Sequence, residues 1–444
     1  MRVYDTLSRS LVELPPPPAE IGMYVCGPTV YQRAHIGNAR PFVVFSWLRN
    51  WLRETGYDVT FVHNVTDVND KIYDAAPGRS AELARDATRW YLEDTGDLGL
   101  DMPDEMPLAT ETMAEILALI EELVESGHAY PVDGDVYFRV ARFPEYGRLS
   151  GQRPDQVEEQ EPNPLKEDPR DFALWKATKP GEDTSWDSPW GRGRPGWHIE
   201  CSAMAEKTLG PEFWIHGGGL DLVFPHHENE IAQSRAVGRP FARIWMHNGM
   251  LELGGDEMHK SVGNDVTLRN VLDTWGREAT LLFFLGGHWH GPIDFSDAVM
   301  ESARAQSERL SKLVVDEKTR RLDSPPWTAF ADALDDNFNT PEALAVLHAW
   351  HGNGDADNLE RGLAIFGLPR PTREYRVYLD DTLGGDEVTA TRIPADVREL
   401  SESREAARQR HDFAEADRLR DAIRTLGWEI EDTPTGPRLF ERVP

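Results

Sequence analysis

The first sixty residues alternate apolar and polar positions in a β-α-β pattern. Residues 21–31, IGMYVCGPTVY, predict a buried strand that ends in a Gly-Pro turn. Residues 39–54 carry apolar side chains at helical spacing, and Pro41 is tolerated in the first turn of such a helix. The stretch GYDVTFVHNVTD predicts a second strand. This order implies a parallel sheet with a right-handed crossover, so an α/β, Rossmann-like architecture is expected.

The rest of the chain changes its pattern several times. Residues 105–127 predict an amphipathic helix, and residues 129–180 look irregular, with a mobile acidic loop over Pro154–Arg170. Sheet patterning returns at FWIHGGGLDLVF and ARIWMHNGMLEL, and helical patterning begins at Ser296. Residues 370–393 lack a clear pattern, and the charged helical segment ADVRELSESREAARQRHDFAEADRLRDAIRTLG follows them.

These changes predict an α/β domain with an insertion, followed by a helical bundle domain and a small C-terminal domain. The predicted segments are residues 1–95 and 186–295 for the two halves of the α/β domain, 96–185 for the connective insertion, 296–370 for the helical domain, 371–393 for a linker and 394–444 for the C-terminal domain.

Composition limits the class of protein. A chain of 444 residues exceeds what one hydrophobic core supports, so several domains are expected. Its mean hydropathy is −0.53, no apolar run approaches the roughly 20 residues of a membrane helix, and the N-terminus lacks a secretory core. A cytoplasmic location is therefore expected. The formal charge of −30 opposes long-range attraction to nucleic acid but leaves room for a local basic patch.

The two cysteines of the chain, Cys26 and Cys201, are too few for a secreted disulfide framework. The string PHHENEIAQS places His226 and Glu230 four residues apart, on one face of a helix that Pro225 can open. Two thiolates, an imidazole and a carboxylate would make a tetrahedral zinc set. Two buried thiols and a surface His–Glu pair are the simpler interpretation. Sequence spacing alone does not join the four residues, because the cysteines match no local zinc-finger pattern.

Three glycine-containing segments are candidate ligand-binding sites. AHIGNARP places His35 at the turn into the first helix, whose N-terminus suits phosphate. Residues 254–264, GGDEMHKSVGN, place Lys260 beside Ser261 in a loop that could close over a polyphosphate. In IHGGGLDLVF, three consecutive glycines allow a ligand to approach the backbone, and Asp221 is a polar anchor. Each of the first two segments alone also fits an ordinary turn or a solvated loop.

Together and in this order, these segments resemble the cysteinyl-tRNA synthetases, a family of class I aminoacyl-tRNA synthetases. The matching strings are MYVCGPTVY, HIGNARPF, NVTDVNDKI, GRPGWHIECSAM, IHGGGLDLVFPHHENEIAQS and EMHKSVGN. DDNFNTPEAL resembles the helical, anticodon-side domain of that family, and ARQRHDFAEADRLRDAIRTLGWEIEDTPTGPR resembles its C-terminal unit. The resemblance spans nearly the whole chain and implies a Rossmann-like class I catalytic domain.

The resemblance implies a zinc ion that recognises the substrate. Serine differs from cysteine by one atom, and packing alone discriminates poorly between them. A soft thiolate binds zinc far better than a neutral hydroxyl, so a zinc ion in contact with the substrate thiolate would separate the two amino acids. The residues that fall on the zinc positions of the family are Cys26, Cys201, His226 and Glu230.

The resemblance also implies the contacts of ATP and cysteine. His35 and Lys260 match catalytic residues of the HIGH-type and KMSKS-type motifs of the family. Asn38 is a mild departure in the first motif. In the second motif Glu257 replaces a lysine and His259 replaces a serine, and the exchange of a cation for the anion of Glu257 should weaken attraction to triphosphate. The implied ATP contacts are Gly27, His35, Gly37, Asn38, Gly217, Gly218, Gly219, Asp221, Lys260 and Ser261, and the implied contacts of the substrate cysteine are Thr66, Trp197 and His216.

The implied reaction has two steps. The carboxylate of L-cysteine attacks the α-phosphorus of ATP, which is accompanied by Mg2+, and gives cysteinyl-adenylate and pyrophosphate. The terminal adenosine hydroxyl of tRNA(Cys) then attacks the activated carbonyl. The expected partners are ATP, L-cysteine and tRNA(Cys), with one Zn2+ per chain, no membrane partner and a monomeric protein.

Two other functions stay open at this point. A ligase of the mycothiol pathway shares this catalytic core but transfers cysteine to an amino-sugar inositol. The segment from Ala395 onward favours tRNA, because a small acceptor needs no anticodon reader. Glu257 and His259 would also suit a non-catalytic paralogue with a regulatory role, although the retained zinc and ATP residues count against it.

The last fifty residues combine arginines with many acidic residues. The arginines form either a basic stripe for tRNA or part of a salt-laced, solvated helix. Leu439 and Phe440 stand where the family commonly has Trp-Arg, which puts the details of anticodon contact in question. The arginines concerned are Arg404, Arg408, Arg410, Arg418, Arg420 and Arg424.

Overall fold

A computed structural model describes residues 1–152, 162–253, 256–257, 266–315, 324–376, 393–433 and 436–441. The chain divides into two compact units, and the finer domain boundaries stay predictions. Among the described residues, we find no helix with the length and apolar character that a membrane crossing requires. Unit 1 comprises Met1–Glu301 and Ala333–Pro341, and unit 2 comprises Ser302–Asp332 and Glu342–Pro444.

The described strands of unit 1 are β1 (Arg2–Asp5), β2 (Ser10–Glu13), β3 (Glu20–Val25), β4 (Asp58–His63), β5 (Ala129–Val132), β6 (Asp135–Phe138), β7 (Phe172–Ala177), β8 (Gly193–Pro195), β9 (Glu212–Gly219), β10 (Phe241–Asn248), β11 (Leu251–Leu253), β12 (Asp256–Glu257) and β13 (Ile293–Asp294). Its described helices are α1 (Ile36–Glu54), α2 (Asp70–Ala75), α3 (Ser80–Gly96), α4 (Met113–Glu125), α5 (Trp197–Leu209), α6 (Glu228–Ala236), α7 (Leu268–Trp275) and α8 (Arg277–Leu285). Helices α9 (Asp297–Leu310), α10 (Trp327–Asp335) and α11 (Thr340–Gly352) run across the division between the units.

A parallel sheet in the order β10, β9, β3, β4 forms the centre of unit 1, and α1 connects β3 to β4. This is the predicted β-α-β arrangement. Helix α1 begins at Ile36, three residues before the predicted start at Ala39, because His35 is extended at its N-cap and Ile36 is fully buried. Pro41 therefore lies in the second turn of α1 and not in the first. Phe42 and Phe45 of α1 are fully buried.

The insertion contains an antiparallel sheet in the order β5, β6, β7, β8. The prediction of an irregular region over residues 129–180 was therefore wrong. The missed signal is the pair Asp133 and Gly134, whose φ values of 49° and 88° make the tight hairpin between β5 and β6. Residues 153–161, which include part of the predicted mobile loop over Pro154–Arg170, lie outside the described residues.

Unit 2 contains a four-stranded sheet and several helices. Two predictions for it were wrong. The segment Lys312–Val315 was predicted to be helical, and Thr372–Arg376 was predicted to belong to a linker. In the structure the two segments are strands that pair with each other in parallel. The charged segment forms two helices that are separated near His411, where φ is 62°. Leu439 is fully buried in a small apolar core with Val397, so an apolar residue is required there. The remaining elements are β14 (Lys312–Val315), α12 (Ala356–Ile365), β15 (Thr372–Arg376), α13 (Ala395–Gln409), α14 (Phe413–Thr425), β16 (Trp428–Thr433) and β17 (Gly436–Glu441).

Candidate active site and metal group

Segments that follow neighbouring parallel strands meet at the carboxyl edge of the central sheet, which is where ligands bind in this architecture. Cys26 and Gly27 follow β3, Asn64 follows β4, and Gly217 lies near the end of β9. The backbone N–H of Cys26 donates to the carbonyl of Gly217 at 2.9 Å, and the N–H of Gly27 donates to Oδ1 of Asn64 at 2.9 Å. These bonds hold the end of β3 between its two neighbours.

The four predicted metal residues converge, although they come from three distant parts of the chain. Cys26 follows β3, and Cys201 lies in α5. His226 and Glu230 lie on either side of the start of α6. Their ligand atoms all lie within 4.8 Å of one another, and all four side chains are buried. The group can therefore hold a metal ion.

His226 reaches this group through a distorted helix start. Pro225 was predicted to open a helix that carries His226 and Glu230 on one face. In the structure, Phe224 is extended (φ −137°, ψ 132°), so the backbone is kinked before Pro225, and α6 begins only at Glu228. The two side chains still meet, because Nε2 of His226 lies 3.1 Å from Oε1 of Glu230.

A second possible ligand set shares two residues with the first. It replaces Cys201 and His226 by His216 and His227, and its four ligand atoms also lie within 4.8 Å of one another. Nε2 of His216 lies 2.9 Å from Oε2 of Glu230, and Nε2 of His227 lies 3.3 Å from Sγ of Cys26. The first set offers two sulfur ligands, which favours a thiophilic metal, and the second offers one.

Burial opposes the charges that this group would carry without a cation. Burial raises the pKa of the Cys26 thiol, whereas a hydrogen bond from Cys26 lowers the pKa of Cys201 to about 6. Burial also lowers the pKa of His226, but the negative charges of Cys201 and Glu230 outweigh it, so this pKa is raised. Two thiols, one imidazole and one carboxylate suit a divalent transition metal, which would compensate their buried negative charge. Burial and the neighbouring thiols of Cys201 and Cys26 raise the pKa of the Tyr24 hydroxyl, which lies beside the group.

A cavity of about 340 Å3, here called the central cavity, opens beside Cys26. It contains many of the predicted ATP contacts and one predicted cysteine contact. Thr66, His216, Gly217 and Gly218 do not line it. Lys260, Ser261 and His259 lie outside the described residues. The predicted residues on its wall are Gly27, His35, Gly37, Asn38, Trp197, Gly219 and Asp221.

Close packing accounts for two of the three consecutive glycines. A Cβ at Gly217 would lie 2.3 Å from the ring of Phe45, and one at Gly218 would lie 2.9 Å from the ring of His227. These glycines admit neighbouring side chains, and only Gly219 faces the cavity. Gly37 acts similarly, because its Cβ would lie 2.9 Å from the ring of His35.

We expect Gly217→Ala to destabilise unit 1 by about 1 to 3 kcal/mol, because Phe45 is fully buried and has no room to move. Calorimetric unfolding measures the effect. Gly96→Ala is the matched control, since a Cβ there meets nothing within 4 Å. Equal unfolding temperatures for the two variants would contradict the packing role.

Sequence reasoning missed several polar residues beside the metal group. Nδ1 of His198 lies 3.0 Å from Nδ1 of His226, and Oδ1 of Asn64 lies 3.9 Å from Sγ of Cys201. Glu200 is fully buried, and burial raises the pKa of its carboxyl well above the usual value. The available signal was their polarity within the buried strings HNVTD and WHIEC.

The arginines of the C-terminal helices are mostly paired with carboxylates. Arg404 is 1% exposed and binds Asp432 through two contacts of 2.8 and 2.9 Å, and Arg408 contacts the same carboxylate. Three more arginines pair with a carboxylate one helical turn away. These ion pairs favour the prediction of a salt-laced, solvated helix over that of a basic stripe for tRNA. These pairs are Arg418–Glu415, Arg420–Asp417 and Arg424–Asp421.

Three comparisons relate the chain to known proteins. Residues 15–305 match the family model described as the tRNA synthetases class I (C) catalytic domain. The chain is 43% identical over 452 residues to the cysteine–tRNA ligase of Methylobacillus flagellatus, with 98% of both chains covered. It is also 43% identical over 470 residues to the cysteine–tRNA ligase of Rubrobacter xylanophilus, with 100% of both covered. Its fold is similar to that of methionyl-tRNA synthetase of Mycobacterium tuberculosis bound by methionyl-adenylate, at 15% identity and a TM-score of 0.57, over 79% of this chain and 88% of that one.

Proposed function

Because the chain belongs to the cysteine–tRNA ligases of the class I tRNA synthetases, we propose that it activates L-cysteine with ATP and transfers it to the 3′ end of tRNA(Cys). The family resemblance and the α/β class I fold predicted from the sequence are confirmed. The single observation that carries the proposal is the position of Cys26. This residue belongs to the buried metal group and also lines the cavity at the start of α1.

Zinc is the metal that we propose for the group of Cys26, Cys201, His226 and Glu230. Two sulfur ligands with one nitrogen and one oxygen are typical of zinc. When bound, zinc would supply a Lewis acid that binds a soft thiolate far more tightly than a hydroxyl. Trp197 packs against His226, with ring centroids 4.3 Å apart and ring planes tilted by 30°, and lines the cavity beside it. We propose that its ring orients the side chain of the substrate cysteine.

Adenylate formation requires positioning and charge stabilisation more than proton transfer. An oxygen of the cysteine carboxylate bonds to the α-phosphorus, and the bond to the bridging oxygen breaks, so pyrophosphate leaves with the electron pair. His35 and the N-terminus of α1 face the central cavity, where an imidazole and the positive end of the helix dipole favour phosphate. Mg2+ would accompany ATP, and Lys260 stays a predicted contact of its phosphates.

Acceptor assays test this function. The purified protein, labelled cysteine and ATP are incubated either with a tRNA(Cys) transcript or with an amino-sugar inositol, and pyrophosphate exchange is measured separately. We expect exchange with cysteine and transfer to the transcript alone. Transfer only to the amino sugar would identify the mycothiol-pathway ligase, and absence of exchange would identify a regulatory paralogue. The match of relatives over the C-terminal unit supports the tRNA acceptor.

The location and oligomeric state follow from the same proposal. A tRNA acceptor places the enzyme in the cytoplasm, where tRNA is used. We propose that it acts as a monomer, because one chain supplies all four ligands of a tetrahedral metal site and leaves no position that a second chain must fill. Light scattering of the purified protein at micromolar concentration measures the mass, and a dimer mass would contradict this state.

A further inference from the structure

A second cavity of unit 1 lies beside the central cavity and has no part in adenylate formation as derived above. Its volume is about 270 Å3, near the lower end of the ~300 to 1,000 Å3 of small-ligand sites. Its walls come from the insertion, from segments that follow β3 and β4, and from the beginnings of α5 and α6 with the residues before them. Thr29, Lys71 and Trp197 line both cavities, so the two adjoin at these residues. We call it the lysine-lined cavity.

The walls of the lysine-lined cavity are basic in a chain whose formal charge is −30. Three of the eight lysines of the chain line it, although arginine is far commoner in this sequence. Among the described residues that line it, the carboxylates are Asp70 and Asp171, so positive charge exceeds negative charge on this part of the wall. The basic lining residues are Lys71, Lys166, Arg170, Lys176 and Arg194.

Both carboxylates are engaged by neighbouring groups. Asp70 accepts a hydrogen bond from Lys176 at 2.9 Å and also pairs with Arg194. Asp171 accepts from the hydroxyl of Tyr130 at 2.9 Å and from the N–H of Val140 at 2.9 Å. Asp70 is thus already paired with two cations, whereas the oxygens of Asp171 are taken up by neutral donors.

Lys71 carries the charge that is left for a ligand. Within the described chain its ammonium makes no ion pair or hydrogen bond, and it lies 5.9 Å from the ring centroid of Tyr31. Its exposed side chain stands where the two cavities adjoin. Aromatic side chains also line this cavity, and a nucleobase can stack on such surfaces. They are Phe172, Trp197 and Phe224.

We propose that the lysine-lined cavity receives the 3′-terminal nucleotide of the acceptor RNA, and that Lys71 binds the phosphate of this nucleotide. The proposal rests on the proposed function. In the transfer step, a terminal ribose hydroxyl bonds to the carbonyl carbon of cysteinyl-adenylate, and the bond from that carbon to the phosphate oxygen breaks. AMP leaves with the electron pair, and the hydroxyl proton passes to water. The terminal ribose must therefore approach the adenylate from beside the central cavity, where Lys71 and Trp197 stand.

A double-mutant cycle between protein and RNA tests the proposal. Affinity is measured at low salt for a tRNA(Cys) transcript and for the same transcript without its terminal adenosine. Wild type should lose about tenfold in affinity on truncation. Lys71→Gln should lose clearly less, because it lacks the charge that binds the terminal phosphate and keeps only the stacking contacts of the base. Lys71→Arg should restore most of the difference. Lys207→Gln is the matched control, since Lys207 pairs with Glu115 away from both cavities and should behave like wild type.

The outcomes separate this proposal from the function on which it rests. Equal losses on truncation in wild type and Lys71→Gln would overturn it. It would also be overturned if inorganic phosphate competes in a Lys71-dependent way while Lys71→Gln distinguishes the two RNAs as strongly as wild type does, because the cavity would then be a site for a small anion. A wild-type protein that neither exchanges pyrophosphate with cysteine nor binds the complete transcript would overturn the proposed function instead.

Discussion

Cys201→Ser is expected to abolish stoichiometric metal binding. The remaining thiol, imidazole and carboxylate cannot complete a tetrahedral site, and a serine hydroxyl is a poor ligand for a soft metal. We expect metal affinity to fall by more than about a hundredfold, and cysteine-dependent pyrophosphate exchange to fall by about a thousandfold. Metal content by plasma emission spectroscopy after dialysis against a mild chelator gives the first quantity, and exchange gives the second.

The same variant decides between the two possible ligand sets. Cys201 belongs only to the first set, and His216 belongs only to the second. Retention of one metal per chain in Cys201→Ser, with loss in His216→Asn, would assign the ion to the second set and contradict our proposal. Ser202→Ala is the matched control, because Ser202 is buried next to Cys201 in α5 but offers no ligand to the group.

His35→Ala is expected to lower the maximal rate of pyrophosphate exchange by about a hundred- to a thousandfold, with a smaller effect on the KM for ATP. His35 stands at the N-cap of α1 and lines the central cavity, where it can stabilise charge that develops on the phosphates. A group that acts mainly on the transition state changes kcat more than KM. Steady-state exchange over a range of ATP concentrations separates the two constants.

A histidine away from the cavity provides the control for this variant. His128→Gln removes an imidazole that bonds Ser126 at the edge of the insertion, and it should leave both constants near their wild-type values. Metal content should stay at one per chain in both variants, because neither histidine belongs to a ligand set. If His35→Ala raises KM while kcat is unchanged, the side chain contributes to binding and not to rate.

Local patterns predicted much of the central sheet. The β-α-β pattern of the first sixty residues was sufficient for the parallel strands and for α1, because periodicity of apolar residues reports directly on a buried face. The insertion was missed, since its strands are short and their alternation is weak. The hairpin at Asp133 and Gly134 was visible in the sequence but was overlooked.

The sequence by itself determined the family, the order of the elements and the identity of the candidate ligands. Each motif is a short, continuous string of residues, so it can be read without knowledge of the fold. Only the tertiary structure decided which residues meet. The end of β3, helix α5 and the start of α6 bring Cys26, Cys201 and His226 together, and no spacing along the chain encodes that distance. Packing of the core likewise brings Gly217 against the ring of Phe45. Lys71 lines two cavities whose other residues come from distant parts of the chain. Such contacts depend on how distant segments fold against each other, which a linear pattern does not record.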